Sequence, residues 1–296
     1  CQSGNLTASR DVLPALDAVK HAKGPVYALI APAFLGQFST VVTPGRLRSA
    51  FKLLGFTGMV EVALFADLLT LKEALEFDRN IHTETDFQLT SCCCPMWIGM
   101  IRKLYHELMP HVPGAVSPMI AAGRTVKKLH PDAVTIFVGP CIAKKAEARE
   151  ADLAGAVDYV LTFQEMQDIF QAADIHPELL EESERDHSSR AGRIYARTGG
   201  VSEAVRTTVA RLHPERPIQV RTRQADGVPA CRAMIEDIRS GLLDRETGRE
   251  NVASCGDEAE FSTPLDNPYV LKLLRLLGFD TVEEFLEQSD IFIRHF

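Results

Sequence analysis

The chain has 296 residues, of which 46% are hydrophobic and 24% charged, values typical of an ordinary globular protein. Its 32 basic and 40 acidic residues give a net charge of −8, which argues against a nucleic-acid partner because such binding needs a basic face. No apolar run reaches about 18 residues, so no membrane span is predicted, and no signal peptide is recognised. The chain begins at Cys1 rather than Met, so we expect that its true N-terminus is missing.

Strands and helices alternate along the chain, which predicts an α/β fold of parallel sheets covered by helices. Strands are predicted at 26–30, 59–64, 87–89, 134–138, 159–161 and 218–221, and helices at 44–54, 67–79, 97–108, 118–129, 163–173, 200–212, 228–240 and, in two pieces, 263–296. We expect two lobes, at roughly 25–175 and 190–296, each a mainly parallel sheet flanked by helices, with a crevice between them. Residues 174–192 are predicted to be a solvated acidic loop joining the lobes.

The cysteines are the most informative residues. Seven of them, at positions 1, 92, 93, 94, 141, 231 and 255, do not form a disulfide framework in a chain of this length. Clustered cysteines without an export signal favour a metal or catalytic role in a reducing compartment, the cytoplasm.

Two cysteine segments recur at the same predicted place in the fold. Residues 90–97 read Thr-Ser-Cys-Cys-Cys-Pro-Met-Trp, and residues 139–141 read Gly-Pro-Cys. Cys94 and Cys141 each follow a predicted strand and precede a helix, so their thiols can point into one shared crevice, and helix N-termini favour the thiolate form. Zinc is less favoured because no C-x-x-C pair exists. A thiol hydrolase would need a histidine base, and none of the nine histidines is marked out for that role.

Lys144 and Glu147 follow Cys141 at intervals of three, so the three residues share one face of a helix. A lysine there can donate hydrogen bonds to an anionic ligand. The neighbouring Lys145 is expected to be a solvated surface residue.

The two cysteine segments resemble the first two motifs of [FeFe]-hydrogenases, T-S-C-C-P-x-W and P-C-x-x-K-x-x-E, with one extra cysteine in the first. Weaker matches spread the resemblance over most of the chain, at Ala31-Pro32-Ala33, Asp67-Leu68 with Glu73 and Glu76, Ser117-Pro118 and Thr198-Gly199-Gly200-Val201. Together, in this order and spacing, these matches indicate a catalytic domain of that family.

The resemblance implies an H-cluster, in which a [4Fe-4S] cubane is joined by a cysteine thiolate to a two-iron centre carrying CO, cyanide and a bridging dithiolate amine. The family interconverts H2 with protons and electrons at this group. By position, the implied metal ligands are Cys94 and Cys141, the implied cofactor contacts include Lys144 (to a cyanide), Ala31 and Pro32, and the implied proton carriers are Cys93, Glu73 and Glu76. Without the resemblance, Glu73 and Glu76 would be interpreted as a solvated helix face.

The chain departs from the family pattern at its third motif, E-x-M-x-C-x-x-x-C. After Asp244 the sequence passes directly to Arg245 and Glu246, without that motif. Cys231 is expected to be a buried core thiol, and Cys255 is a possible substitute ligand. Because a cubane needs four thiolates, we expect this polypeptide as written not to evolve H2. Pro113 and Gly139 also stand where the family often has serine and methionine.

The resemblance also implies partners. Cys1 is similar to the last cysteine of a ferredoxin-type motif, so residues 1–24 are interpreted as the remnant of a ferredoxin-like region and linker, followed by the catalytic domain at 25–296. A ferredoxin or ferredoxin-like domain is the implied electron partner, and maturation proteins would assemble the cofactor. Two alternatives stay open: a non-catalytic iron–sulfur scaffold or sensor without the two-iron centre, and a metal-free thiol enzyme.

Overall fold

The computed structural model describes residues 10–83, 86–90, 92–183, 188–218, 220–240 and 263–294. Its strands are β1 (Val26–Ile30), β2 (Gly58–Glu61), β3 (Val134–Gly139) and β4 (Tyr159–Thr162). Its α-helices are α1 (Val12–His21), α2 (Pro44–Leu54), α3 (Ala63–Asn80), α4 (Pro95–Leu104), α5 (Pro118–Leu129), α6 (Ala143–Glu147), α7 (Phe163–Ala172), α8 (Arg190–Ile194), α9 (Gly200–Leu212), α10 (Gly227–Arg239), α11 (Pro268–Leu276) and α12 (Val282–Gln288). Within those ranges, no helix has both the length and the apolar character that a bilayer crossing requires.

Within the described residues the strands form one parallel sheet, in the order β2-β1-β3-β4. The central strands β1 and β3 are buried along nearly their whole length. Helices cover both faces of such a sheet, so its inner strands are continuous apolar runs rather than alternating ones. The parallel sheet with flanking helices confirms the predicted α/β class.

Local signals in the sequence set where several helices begin. Thr43 accepts a hydrogen bond from the backbone N–H of Arg46 (3.2 Å), and Pro44 occupies the first helical position of α2. Thr162 and Glu165 form a complete capping box at the start of α7. These interactions are local in sequence, which is why the predicted starts of these helices agree with the structure.

Two predicted strands are wrong. Residues 87–89 form no strand, and the Leu89 N–H donates to the carbonyl of His111 (2.9 Å) in a loop contact. Ile218 and Val220 also lie outside any strand. A strand is stabilised by pairing with a neighbour, and no described segment pairs with either of these. The second lobe, 188–294, therefore contains helices but no sheet among its described residues, and the expected second sheet is not found there.

A buried ion cluster joins the second lobe to the sheet. Glu61, at the end of β2, accepts hydrogen bonds from Arg48 Nη2 (2.8 Å), Arg193 Nη2 (3.1 Å) and Ser188 Oγ (3.1 Å). All four residues are buried. Because burying a charge is costly unless it is paired, this cluster constrains how 188–194 packs against the sheet.

Asp67 of α3 forms a second such junction. It accepts hydrogen bonds from the Ser189 N–H (2.9 Å) and from Asn267 Nδ2 (3.1 Å), the N-cap of α11. Burial raises the pKa of Asp67 to about 6, although the bonds from Ser189 and Asn267 oppose that shift. Ser188 and Ser189 are buried at these junctions, so the end of 174–192 is not the solvated loop that was predicted.

Candidate functional site

The Cys141 turn and Ala31-Pro32 lie at the same edge of the sheet. β3 ends at Gly139, two residues before Cys141, and β1 ends at Ile30. The Ala31 N–H donates to the carbonyl of Val138 (2.9 Å), so the two chain segments leave the sheet side by side. The carboxyl edge of a parallel sheet is the usual place for a ligand crevice.

Gly139 is a glycine for steric reasons. A Cβ at this position would lie 2.5 Å from the Phe137 ring and 3.0 Å from the Ala31 Cβ. Both neighbours are buried, so neither has free space to move into. The side chain of a methionine, which the family often has here, is therefore excluded in this chain.

The three adjacent cysteines form the turn that leads into α4. Cys94 is the N-cap of that helix, with an extended backbone, and Pro95 stands at the first helical position. The Cys94 side chain makes no capping hydrogen bond. Cys92 is buried, whereas Cys93 and Cys94 are partly exposed. The structure thus leaves the Cys94 sulfur available for a ligand.

Lys144 connects the two cysteine turns. Its Nζ donates to the backbone carbonyl of Cys93 (2.7 Å) and forms an ion pair with the buried carboxylate of Glu147 (2.6 Å). Lys144 is therefore not a free surface lysine, and its ammonium group lies beside the residues that precede Cys94. The contact with a cyanide that the resemblance implies for Lys144 stays a prediction.

Glu73 is fully buried, so interpreting it as part of a solvated helix face is wrong. The Cys92 Sγ donates a hydrogen bond to Glu73 Oε1 (3.5 Å). Burial raises the pKa of Glu73 to about 8, with a further rise from Glu76, while Cys92 and Lys72 act in the opposite direction. At neutral pH, Glu73 is thus mostly a neutral carboxylic acid.

Cys92 and Cys93 are neutral thiols in this environment. Burial is the largest cause that raises the pKa of Cys92 well above its usual range, and Glu73 adds to the rise. Burial also raises the pKa of Cys93 to about 12, against the lowering effect of the Lys144 ammonium. Both side chains therefore hold protons, and Cys92 rather than Cys93 makes the contact with Glu73.

Glu76 occupies a different environment one turn along α3. It is partly exposed and pairs with Lys72. Glu73 and Glu76 are close enough that Glu76 raises the pKa of Glu73. The two carboxyl groups thus run from the buried side of α3 towards its exposed side.

Two expectations about single residues are wrong. Lys145 is 4% exposed and forms an ion pair with Glu165 at the start of α7 (2.9 Å), so it is not a solvated lysine. Cys231, on α10, is only partly buried. Cys94 is near enough to contribute to the raised pKa of Cys231, after the larger effect of burial. Cys1 and Cys255 lie outside the described residues.

Residues 24–247 match the family described as "Iron only hydrogenase large subunit, C-terminal domain". The chain belongs to this family. Among curated proteins it is 32% identical to iron hydrogenase 1 of Clostridium pasteurianum over 195 residues, which are 60% of this chain and 34% of that protein. It is 25% identical to the NADP-reducing hydrogenase subunit HndD of Solidesulfovibrio fructosivorans over 241 residues, 72% of this chain and 41% of the other. The matched part of the chain thus covers 34% of the length of the first relative and 41% of the length of the second.

Solved structures share the fold of this iron-only hydrogenase domain. The apo [FeFe]-hydrogenase HydA1 from Chlamydomonas reinhardtii superposes with a TM-score of 0.73 at 19% identity, covering 97% of this chain and 99% of that one. The HydA(deltaEFG) structure, which concerns stepwise H-cluster assembly, gives a TM-score of 0.71 with the same coverage. At this identity the likeness establishes the fold alone.

Two cysteines at the hydrogenase-like site carry the kind of donor atom that iron–sulfur groups use. Across the described ranges, no three or more His, Cys, Asp or Glu side chains are placed to hold one metal ion. Cys94 and Cys141 instead come from two separate turns, and neither forms a disulfide. Thiolates on separate loops are the donor set of iron–sulfur clusters, so the residues fit that group.

Two residues near Glu73, the buried Thr70 and the partly buried Tyr195, were missed from the sequence. Thr70 and Tyr195 contact each other through their hydroxyl groups (2.9 Å). Thr70 precedes Glu73 by one helical turn, which is a signal that could have drawn attention to it. Nothing in the sequence near Tyr195 indicates a contact with α3, because the two residues are 125 positions apart.

Proposed function

We propose that this chain is a hydrogenase-type iron–sulfur domain, and that its reaction is the reversible conversion of two protons and two electrons into H2. The observation that carries the proposal is the hydrogen bond from Lys144 to the Cys93 carbonyl (2.7 Å). This bond holds the turn that contains Cys93 against the helix that follows Cys141, so two cysteine-bearing segments that are distant in the sequence lie against each other. Family membership supports the same conclusion.

In this proposal Cys94 and Cys141 would be ligands of a [4Fe-4S] cluster, and the complete cofactor would include a two-iron subcluster with CO, cyanide and a dithiolate amine. When bound, this group supplies the electron transfer and the making and breaking of the H–H bond. Ala31 and Pro32, at the end of β1, line the same edge of the sheet. The Lys144 ammonium, which lies beside the Cys93 carbonyl, would donate a hydrogen bond to a cyanide.

Protons are carried by the protein's own groups. The thiol of Cys93 holds a proton at Sγ, because its pKa is raised to about 12. Glu73 holds a proton as a neutral acid in the same buried region, next to Cys92. Glu76, one turn further along α3 and partly exposed, continues the path towards solvent. Carboxyl groups at this spacing can relay a proton because each accepts at one oxygen and releases from the other.

A second candidate is an iron–sulfur scaffold or sensor that lacks the two-iron centre. It is favoured by one observation, namely that the sequence after Asp244 contains no E-x-M-x-C-x-x-x-C motif. A cubane with four thiolate ligands would need two more cysteines than Cys94 and Cys141. For the 296-residue chain by itself we therefore expect cluster binding without H2 evolution.

The proposed partners follow from the reaction. Electrons must be delivered one at a time by a redox protein, which we propose to be a ferredoxin or a ferredoxin-like domain N-terminal to residue 25. The two-iron group requires dedicated maturation proteins. These partners belong to the proposal, so a result that contradicts the proposed reaction also contradicts them.

The experiment has two stages. The chain is first reconstituted with iron and sulfide, and iron content and visible absorbance are measured. It is then matured and assayed for H2 evolution with reduced viologen, beside a variant in which the third motif has been inserted after Asp244. Cluster binding by both proteins, with H2 evolution by the insertion variant, supports the hydrogenase domain. Cluster binding without H2 in either protein supports the scaffold, and absence of any cluster contradicts both candidates.

A further inference from the structure

A pair of hydroxyl groups lies on the same face of α3 as Glu73. Thr70 and Glu73 are three residues apart and both are fully buried. The Thr70 Oγ1 lies 2.8 Å from the carbonyl of Ala66 and 2.9 Å from the Tyr195 Oη. Tyr195 therefore approaches this face of α3. After burial, Glu73 is the group that most raises the pKa of Tyr195, which agrees with that position.

Counting protons fixes the direction of these hydrogen bonds. Thr70 has one hydroxyl proton and two neighbours, and the Ala66 carbonyl can only accept. All three groups are satisfied when Thr70 donates to Ala66 and Tyr195 donates to Thr70. The Tyr195 Oη then has lone pairs without a donor. Because Tyr195 is partly buried and packs against the core, a nearby protein or water donor can fill these lone pairs.

One carboxyl oxygen of Glu73 also lacks a hydrogen-bond partner in the described structure. Its Oε1 accepts from Cys92, whereas its Oε2 is buried and has no hydrogen-bond partner among the described residues. An ionised Glu73 would place a second acceptor towards Tyr195. A neutral Glu73 with its proton on Oε2 supplies the missing donor. The side chains around Glu73 that titrate or carry charge are Lys72 and Glu76 on α3, Cys92 and Cys93 on the cysteine turn, and Tyr195.

We infer that Tyr195, oriented by Thr70, accepts a hydrogen bond from the protonated Oε2 of Glu73 through one bridging water, and so holds Glu73 as a neutral acid. Tyr195 is then a positioning residue: it keeps the acidic proton on Oε2 and leaves Oε1 facing the thiol of Cys92. The contribution of Tyr195 to proton transfer rests on the proposed function. The hydrogen bond between Tyr195 and Glu73 can be tested whether or not the proposed function is correct.

The test uses the full chain without metal, so its result does not depend on cluster binding. The neutral carboxyl band of Glu73 is followed by infrared difference spectroscopy across the pH range, and the band is assigned by its loss in Glu73→Gln. In the unmodified chain the midpoint is expected near pH 8. Tyr195→Phe should lower it by about 0.5 to 1 pH unit, because the neutral acid loses its acceptor.

Controls separate this effect from a general structural change. Tyr159→Phe, on β4, removes a hydroxyl far along the chain from Glu73 and should leave the midpoint unchanged. Thr70→Ser keeps the orienting hydroxyl and should behave like the unmodified chain, whereas Thr70→Val should lower the midpoint. A midpoint that is unchanged in Tyr195→Phe overturns the inference. A midpoint that rises also overturns it, because it means that Tyr195 donates to an ionised Glu73.

Discussion

Lys144 and Cys93 are joined by a hydrogen bond of 2.7 Å from the lysine Nζ to the cysteine carbonyl, although 51 positions separate them in the sequence. The same ammonium group pairs with Glu147, whose side chain is almost completely buried. One cation therefore both neutralises a buried carboxylate and joins the two cysteine turns. This dual role makes Lys144 a structural residue of the site before any cofactor is bound.

Replacing Lys144 with methionine should destabilise the protein by about 3 kcal/mol, because it leaves the carboxylate of Glu147 buried and unpaired. Urea unfolding of the metal-free protein measures this change. The double variant Lys144→Met with Glu147→Gln should recover much of the loss. Lys103→Met, at an exposed position on α4, is the control and should change stability by less than about 0.5 kcal/mol. A loss no larger than that of the control would show that the ion pair contributes little.

Stability should fall as pH rises through the range set by Glu73. Its pKa is about 8 in the folded protein, against an ordinary value of 4.5 for a glutamate in water. Between these values the folded state binds a proton that the unfolded state has released, so the free energy of unfolding decreases by up to about 1.4 kcal/mol per pH unit. Asp67 adds a change of the same sign between 3.8 and about 6.

Glu73→Gln should remove most of the decrease in the free energy of unfolding with pH above pH 6, because an amide does not titrate. The measurement is urea unfolding at a series of pH values from 6 to 8. Glu215→Gln, at an exposed position, should keep the slope of the unmodified protein. An identical slope in Glu73→Gln and the unmodified protein would mean that Glu73 is ionised when buried.

Cys94→Ser and Cys141→Ser should each abolish the iron–sulfur absorbance of the reconstituted protein, since each removes a proposed cluster ligand. Cys92→Ser is the matched control: its thiol faces Glu73 and should not be needed for iron binding. Full iron content in both ligand variants would refute the assignment. Loss in Cys92→Ser equal to that in Cys94→Ser would instead point to damage of the 92–94 turn as a whole.

Glu61→Gln should destabilise the protein by about 3–5 kcal/mol, because it removes the buried carboxylate that pairs with the guanidinium groups of Arg48 and Arg193. Thermal and urea unfolding measure this effect. Glu283→Gln, an exposed carboxylate on α12, serves as the control. If Glu61→Gln is as stable as the control, the cluster does not hold the second lobe to the sheet.

Much of the first lobe could be predicted from the sequence. The strands β1 and β3 are apolar runs that end at proline-containing turns, and helices α2 and α7 begin at recognisable caps. The predictions of strands at 87–89 and 218–221 were wrong, because apolar composition does not show whether a partner strand is available for pairing. Both cysteine segments precede a helix as predicted, but only Cys141 follows a strand, because residues 87–89 form none.

The sequence by itself determined which family the thiols at 92–94 and 141 suggest, and that a helix follows each of the two cysteine segments, because those signals come from residues close together in the chain. Only the tertiary structure decided the charge states and contacts at the site. The burial of Glu73 and Lys145, the choice of Cys92 as the neighbour of Glu73, and the approach of Tyr195 to Thr70 all depend on segments far apart in sequence. Desolvation and pairing act through space, so they arise only when those segments pack together.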